Sequence, residues 1–259
     1  MNIKRKSKWI SVFVSFLFIF VFFTLLINVF ETSSINVKAD TEDVISSSCG
    51  IPIIDGKVNA LEWSAATTMA IPMVTAGPTT TLTTNLYVMN SANYLYMGLT
   101  IDDDEFTELG QYLPEGDEFV IIFDNDHTGS VYDLNNNVVA LSAGEPKYED
   151  RYIYNVSGSN QADTEGGGTA DGTGMTGRSS DLNHFEMKFP LCSGDTLDFC
   201  LSSTDVIGFR LEYLDAEGNG DFGGSHYYPD TGSTSQADLV IGTCTAIKDM
   251  FVYLPLIVK

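Results

Sequence analysis

Basic residues are scarce. The chain of 259 residues carries 13 lysines and arginines against 35 aspartates and glutamates, a formal net charge of −22. Five of the basic residues and one acidic residue fall within residues 1–39, so the remainder holds 8 against 34, a net charge of −26. Such a surface repels phosphate backbones and anionic headgroups. Nucleic acid is therefore not an expected partner, and cations are. The plainer use of the same acidity is solubility. Tryptophan is nearly absent: Trp63 is the only one beyond the N-terminal segment. No Cys-x-x-Cys or Cys/His spacing suggests zinc. His127, His184 and His226 are scattered, which favours hydrogen-bonded or solvated roles. Nucleophile elbow, Cys/His nucleophile signature and phosphate loop are all missing. After residue 40 no segment keeps a helical period for three turns, which argues against a helical domain.

The N-terminus is a different kind of segment. Lys4, Arg5, Lys6 and Lys8 precede a mostly apolar run from Trp9 to Phe30. A basic stretch followed by an apolar core is the grammar of a secretory signal, and Val37-Lys38-Ala39 has the small-x-small form of a cleavage site. The run is also long enough to span a bilayer. Residues 1–39 are thus expected to be a signal peptide or a membrane anchor. Either reading places the rest of the chain outside the cytoplasm, extracellular or at the cell surface, touching the membrane only through that segment.

Four cysteines remain: Cys49, Cys192, Cys200 and Cys244. An even count in an oxidising compartment predicts two disulfides, and three pairings are possible. Cys192 and Cys200 suit a local loop, and Cys49 with Cys244 would then join the two ends of one domain.

Residues 40–48 read as a flexible linker and 245–259 as a C-terminal tail, with a domain over 49–244 between them. Short strand-like runs separated by Gly, Asn, Asp and Ser fill that domain. Strands are expected near 66–74, 82–89, 93–101, 117–124, 137–141, 148–156, 184–190, 206–214 and 237–243. Their number and spacing predict an all-β, antiparallel two-sheet β-sandwich of jelly-roll-like type. Residues 158–181 read as a long mobile loop, rich in Gly, Thr and Asp. The tail's apolar run from Met250 is too short to cross a membrane. It reads as a last strand, a docking strand or a sorting tail.

Six segments in order resemble one family. IIDGKVNALEWSAA (53–66) has the Asp-Gly turn and Glu-Trp of family 9 carbohydrate-binding modules and their DOMON-type relatives. NLYVMNSANYLYMGLTIDDDEF, GDEFVIIFDNDHTGS, HFEMKFPL, DVIGFRLEYLD and ADLVIG resemble the strands that follow in them. The resemblance implies a sandwich with its N- and C-terminal strands close together. It also implies a buried role for Trp63 under the first loop.

By this resemblance the chain is a non-catalytic domain whose partner is glycan. With no second tryptophan available, tyrosines must supply the stacking rings. Tyr227 and Tyr228, in the loop-like stretch 220–230, are the first candidates, with Tyr112 and Tyr132. The competing reading is a structural or assembly component of the envelope whose partner is a protein. A third is a haem-carrying subunit using strand methionines such as Met73, Met97 and Met187, although methionine on a strand ordinarily fills a core.

Acidic clusters predict calcium, which takes six to eight oxygens. Asp124 and Asp126 end an apolar strand and share a face if the strand stays extended. Two carboxylates on one turn suit chelation better than glycoside hydrolysis, which needs acids about 5–10 Å apart across a cleft. Asp102 and Asp104 end the Tyr-Leu-Tyr strand and are expected near Asp55. Asp215, Glu217 and Asp221 alternate as oxygen donors but lack the EF-hand spacing. The alternative for all of them is a solvated polar turn.

Overall fold

Side chains alternate across a strand, and in this chain that alternation decides which residues reach the core. The computed structural model describes residues 43–75, 81–108, 116–144, 147–216, 222–230 and 235–244. The N-terminal segment 1–39, the tail 245–259, Tyr112, Glu217 and Asp221 lie outside them. The elements are β1 (Val44–Ser46), β2 (Ser48–Cys49), β3 (Thr67–Thr75), β4 (Thr81–Asn90), β5 (Tyr94–Ile101), β6 (Glu118–Asp124) and β7 (Asn137–Ser142). They continue with β8 (Lys147–Ile153), β9 (Asn160–Ala162), the single-turn helix α1 (Asp163–Gly166), β10 (Thr173–Ser179) and β11 (Leu182–Pro190). The last are β12 (Val206–Ala216), β13 (Phe222–Tyr228) and β14 (Ala237–Val240).

One layer runs β10-β11-β5-β4-β3 and the other β13-β12-β6-β7-β8-β9. They join where β13 meets β3 through two residue pairs, His226 with Thr75 and Tyr227 with Val74. The neighbouring strands in both paths are antiparallel. The expected two-sheet sandwich is the fold. Its core is aromatic across the layers. Phe119 of β6 lies 6.0 Å from Phe185 of β11, and Phe123 lies 5.5 Å from Phe189. On β12, Ile207, Phe209, Leu211 and Tyr213 are fully buried on the core side. Arg210 and Glu212 between them must then face the other way. Met73, Met97 and Met187 are buried in the same apolar core, as core filler.

Both disulfides form as expected, Cys49–Cys244 and Cys192–Cys200. The first closes a loop over 195 residues, roughly 4–5 kcal/mol in the chain-entropy picture.

Three expectations need correction. Residues 44–46 and 48 are not linker. Strand β1 pairs in parallel with β14, and β2 with the end of β4. Ile45 fills the core, so even this short polar stretch carries a buried anchor. Residues 158–181 are not a loop throughout, since β9, α1 and β10 occupy them. Strand β10 pairs with β11 over its whole length, Thr173 with Lys188 through Ser179 with Leu182. Ser180 and Asp181 both have positive φ, 53° and 64°, as a tight type I′ hairpin turn requires. Backbone pairing stabilises a strand that hydrophobic alternation does not announce. Finally, 220–230 is largely strand β13 rather than a loop.

Candidate functional site

The two layers have two outer faces, and the chain treats them differently. The outer face of the first layer is closed by the segment that follows Cys49. Trp63 packs there with Met89 and Tyr96, 2% exposed. Its indole N–H donates to Glu186 Oε1 at 2.7 Å. The backbone N–H groups of Asp55, Gly56 and Lys57 donate to Glu186 Oε2 at 2.9, 2.7 and 3.1 Å. Gly56 is required at this turn. Its φ is +84°, and a Cβ would lie 2.4 Å from the Thr176 carbonyl oxygen. The Asp-Gly and Glu-Trp residues are therefore a lock built around one buried carboxylate. Burial holds the Glu186 carboxyl above its ordinary range, and the four donors oppose that. A buried charge with four donors is a structural group.

The outer face of the second layer is open. Strand pairing sets Arg210 of β12 beside Ile122 of β6, and Ile122 beside Val138 of β7. In the next row Tyr227 of β13 pairs with Glu212, and Glu212 with Val120. The loop after β6 covers part of the face through an apolar cluster that includes Val131 and Tyr132. Between this loop, the sheet and residues 157–160 lies a cleft of about 440 Å³, reached by Glu118, Tyr132, Arg151, Asn160 and Glu212. Arg210 sits beside it, 2% exposed. Its guanidinium lies 4.6 Å from the Tyr227 ring centroid and 5.9 Å from that of Tyr132. Burial raises the Glu212 carboxyl, while a hydrogen bond from Tyr227 and the Arg210 charge pull it back. Burial likewise raises the Tyr132 and Tyr227 hydroxyls, so both stay protonated and can donate. Two half-buried rings around a cation, with carboxylates and an amide alongside, offer stacking surface and hydrogen bonds in both directions.

The tyrosines chosen from sequence separate here. Tyr132 and Tyr227 come together on either side of Arg210. Tyr228 does not join them: it is one residue further along β13, 2% exposed, and its ring packs 6.3 Å from Phe209 in the core. Strand parity removes it from any ligand platform. Arg210, Glu212, Glu118 and Arg151 were not singled out from sequence. The signal was present in VIGFRLEYLD, where Phe209, Leu211 and Tyr213 alternate inward and so place Arg210 and Glu212 together outside.

The acidic candidates also sort. Asp124 is fully buried. Its carboxylate accepts the backbone N–H of Thr128 at 3.1 Å and of Gly129 at 2.8 Å. The residues DNDHTGS thus close a turn around Asp124, with Asp126 exposed beside it. Partial desolvation and the Asp124 carboxyl push Asp126 up. Asp102 and Asp104 point to solvent, and Asp103 between them is buried. Asp55 lies with Glu62 and Glu186, not with Asp102. Asp215 lies with Asp103 and Asp117 and also faces His226 Nε2 at 3.5 Å. Asp117 accepts N–H groups of Thr107 and Ala216, both at 3.0 Å, and the Asn183 amide at 3.2 Å. Burial pushes its carboxyl up to about 7 in spite of these donors.

With this geometry in place, the comparisons with known proteins are specific. The profile of the carbohydrate family 9 binding domain-like family matches residues 54–245. No curated protein sequence matches the chain. Two solved structures with a similar fold are of a family 9 carbohydrate-binding module from Caldicellulosiruptor kristjanssonii. The one in complex with cellotriose has a TM-score of 0.57 at 16% identity, covering 78% of this chain and 95% of that one. The one in complex with glucose has a TM-score of 0.56 at 16% identity, covering 80% and 100%.

Proposed function

Because the chain belongs to the carbohydrate family 9 binding domain-like family, we propose that it is a glycan-binding domain without catalysis, working outside the cytoplasm with calcium as support. The ligand lies in the cleft lined by Tyr132, Glu212 and the second sheet and extends over Tyr227, the strand neighbour of Glu212. The observation that carries this reading is the nearly buried Arg210, whose guanidinium gathers the Tyr132 and Tyr227 rings beside the cleft. A sugar presents an apolar face and a rim of hydroxyls. Tyrosine rings meet the first, and Glu212, Glu118, Arg151 and Asn160 can meet the second.

One support bears on location. All four cysteines are in disulfides, which fits an oxidising compartment. Among the described residues no helix is long and apolar enough to cross a membrane. One observation favours a second reading, a structural component of the envelope. Ile51, Ile53 and Leu61, 68%, 62% and 90% exposed, stand on the segment closing the first layer, where a protein partner could dock.

A glycan array followed by calorimetry separates the two. The proposal expects a glycan ligand whose affinity falls at least tenfold, about 1.4 kcal/mol, in Tyr227→Ala and in Tyr132→Ala. Binding that both variants leave unaltered would place the ligand elsewhere. No binding across a broad array would favour the envelope reading.

A further inference from the structure

We propose that Asp150, Asp163 and Asp198 hold one calcium ion, which pins residues 160–172 to the Cys192–Cys200 loop. The three come from different segments: Asp150 from β8, Asp163 from α1, Asp198 from inside the small disulfide loop. One carboxylate oxygen from each lies within 4.8 Å of the others. Calcium binds oxygens at about 2.3–2.6 Å, so opposite ligands stand up to about 5 Å apart. Three carboxylates at that spacing repel one another unless something positive lies between them.

Asp163 carries the argument. Its side chain is fully buried, and neither carboxylate oxygen accepts a hydrogen bond. A buried carboxylate without donors is among the costliest groups a fold can contain. Its neighbours are oriented rather than neutralised. The Asn137 amide donates to Asp150 Oδ1 at 3.0 Å and to Asp198 Oδ1 at 2.9 Å. Ser193 Oγ donates to Asp198 Oδ2 at 2.7 Å. Among the described residues no lysine, arginine or histidine forms an ion pair with any of the three.

The surroundings continue the pattern. Asp171 and Asp195 bring one oxygen each within 4.8 Å of Asp198, adding negative charge at the rim. The chain is drawn in tightly there: a Cβ on Gly168 would lie 2.6 Å from Asp195 Oδ2. Burial and the charges of Asp150 and Asp198 push the Asp163 carboxyl up to about 8. The all-oxygen donor set selects a hard cation. Donors from three chain segments fit the irregular shell of calcium better than the strict octahedron of magnesium.

The inference rests on this cluster and not on the sugar cleft, so a blank glycan array leaves it standing. The purified protein is stripped with EDTA, then titrated with calcium by calorimetry and melted with and without the ion. Wild type should take up calcium and melt several degrees higher with it. Asp163→Asn should lose at least tenfold in calcium affinity, and Asp117→Asn, in the other acidic cluster, should keep it. In EDTA, Asp163→Asn should melt at or above wild type, because it relieves the crowding of a buried acid against Asp150 and Asp198. In calcium it should melt below. If Asp163→Asn fails to fold, Asp198→Asn is expected to give the same loss of affinity. The proposal is overturned if stripped wild type binds no calcium. It is equally overturned if magnesium binds as tightly, if Asp163→Asn and Asp198→Asn bind calcium like wild type, or if Asp117→Asn alone abolishes binding.

Discussion

The outer faces of the two layers carry similar materials to opposite ends. On the first, Trp63 and Glu186 are buried together and saturate each other's hydrogen bonds with the turn at Asp55 to Lys57. On the second, Tyr132 and Glu212 line a cleft, and Tyr227 stays half-buried next to them over Arg210. An aromatic ring with a carboxylate is thus a lock where a loop closes over it and a candidate platform where the loop covers only part of the face. The most conspicuous residues in the sequence, the Asp-Gly turn and the lone tryptophan beyond residue 39, belong to the lock.

The comparison can be broken at either end. The largest effect is expected from Glu186→Ala. Four donors lose a charged acceptor, at about 1.5 kcal/mol or more each, and water restores part of it, which leaves roughly 3–5 kcal/mol. Chemical denaturation measures the loss, and glycan affinity at a temperature where the variant is folded should not change. Trp63→Phe keeps most of the ring and removes the N–H, so about 1–2 kcal/mol of stability is expected to go, again with affinity intact.

On the open face the signs exchange. Tyr227→Ala should cost at least tenfold in affinity, about 1.4 kcal/mol, while the lost ring over Arg210 and the lost hydrogen bond to Glu212 take about 1 kcal/mol of stability. A smaller pH effect belongs to neither face. Asp117 bonds to Asn183 of the first layer and Ala216 of the second, with its carboxyl raised to about 7. Between the unfolded value of 3.8 and 7 the folded state binds more protons than the unfolded one. Stability therefore falls as pH rises through that window and levels off above it. Asp117→Asn should flatten that part of the profile.

Much of the scaffold was legible from alternation and turn residues: the nine expected strands all form, and both disulfides pair as expected. What stayed hidden has physical causes. The hairpin strand β10 carries Thr, Gly and Arg, so only its pairing with β11 makes it a strand. A Tyr-Tyr pair contains no parity information, and the register with β12 decides that Tyr227 faces out and Tyr228 in. Asp150, Asp163 and Asp198 are far apart along the chain, and local spacing does not show that they meet. Arg210 was readable, because its inward neighbours fix its face.

The most direct test of the account measures both faces in one pair of variants. Tyr227→Ala and Trp63→Phe are each titrated with the best array ligand and each melted. The account predicts that Tyr227→Ala loses affinity at least tenfold while it remains folded, and that Trp63→Phe melts lower with affinity unchanged. A Trp63→Phe variant that loses the ligand while Tyr227→Ala keeps it would contradict the account and move the binding site to the closed face.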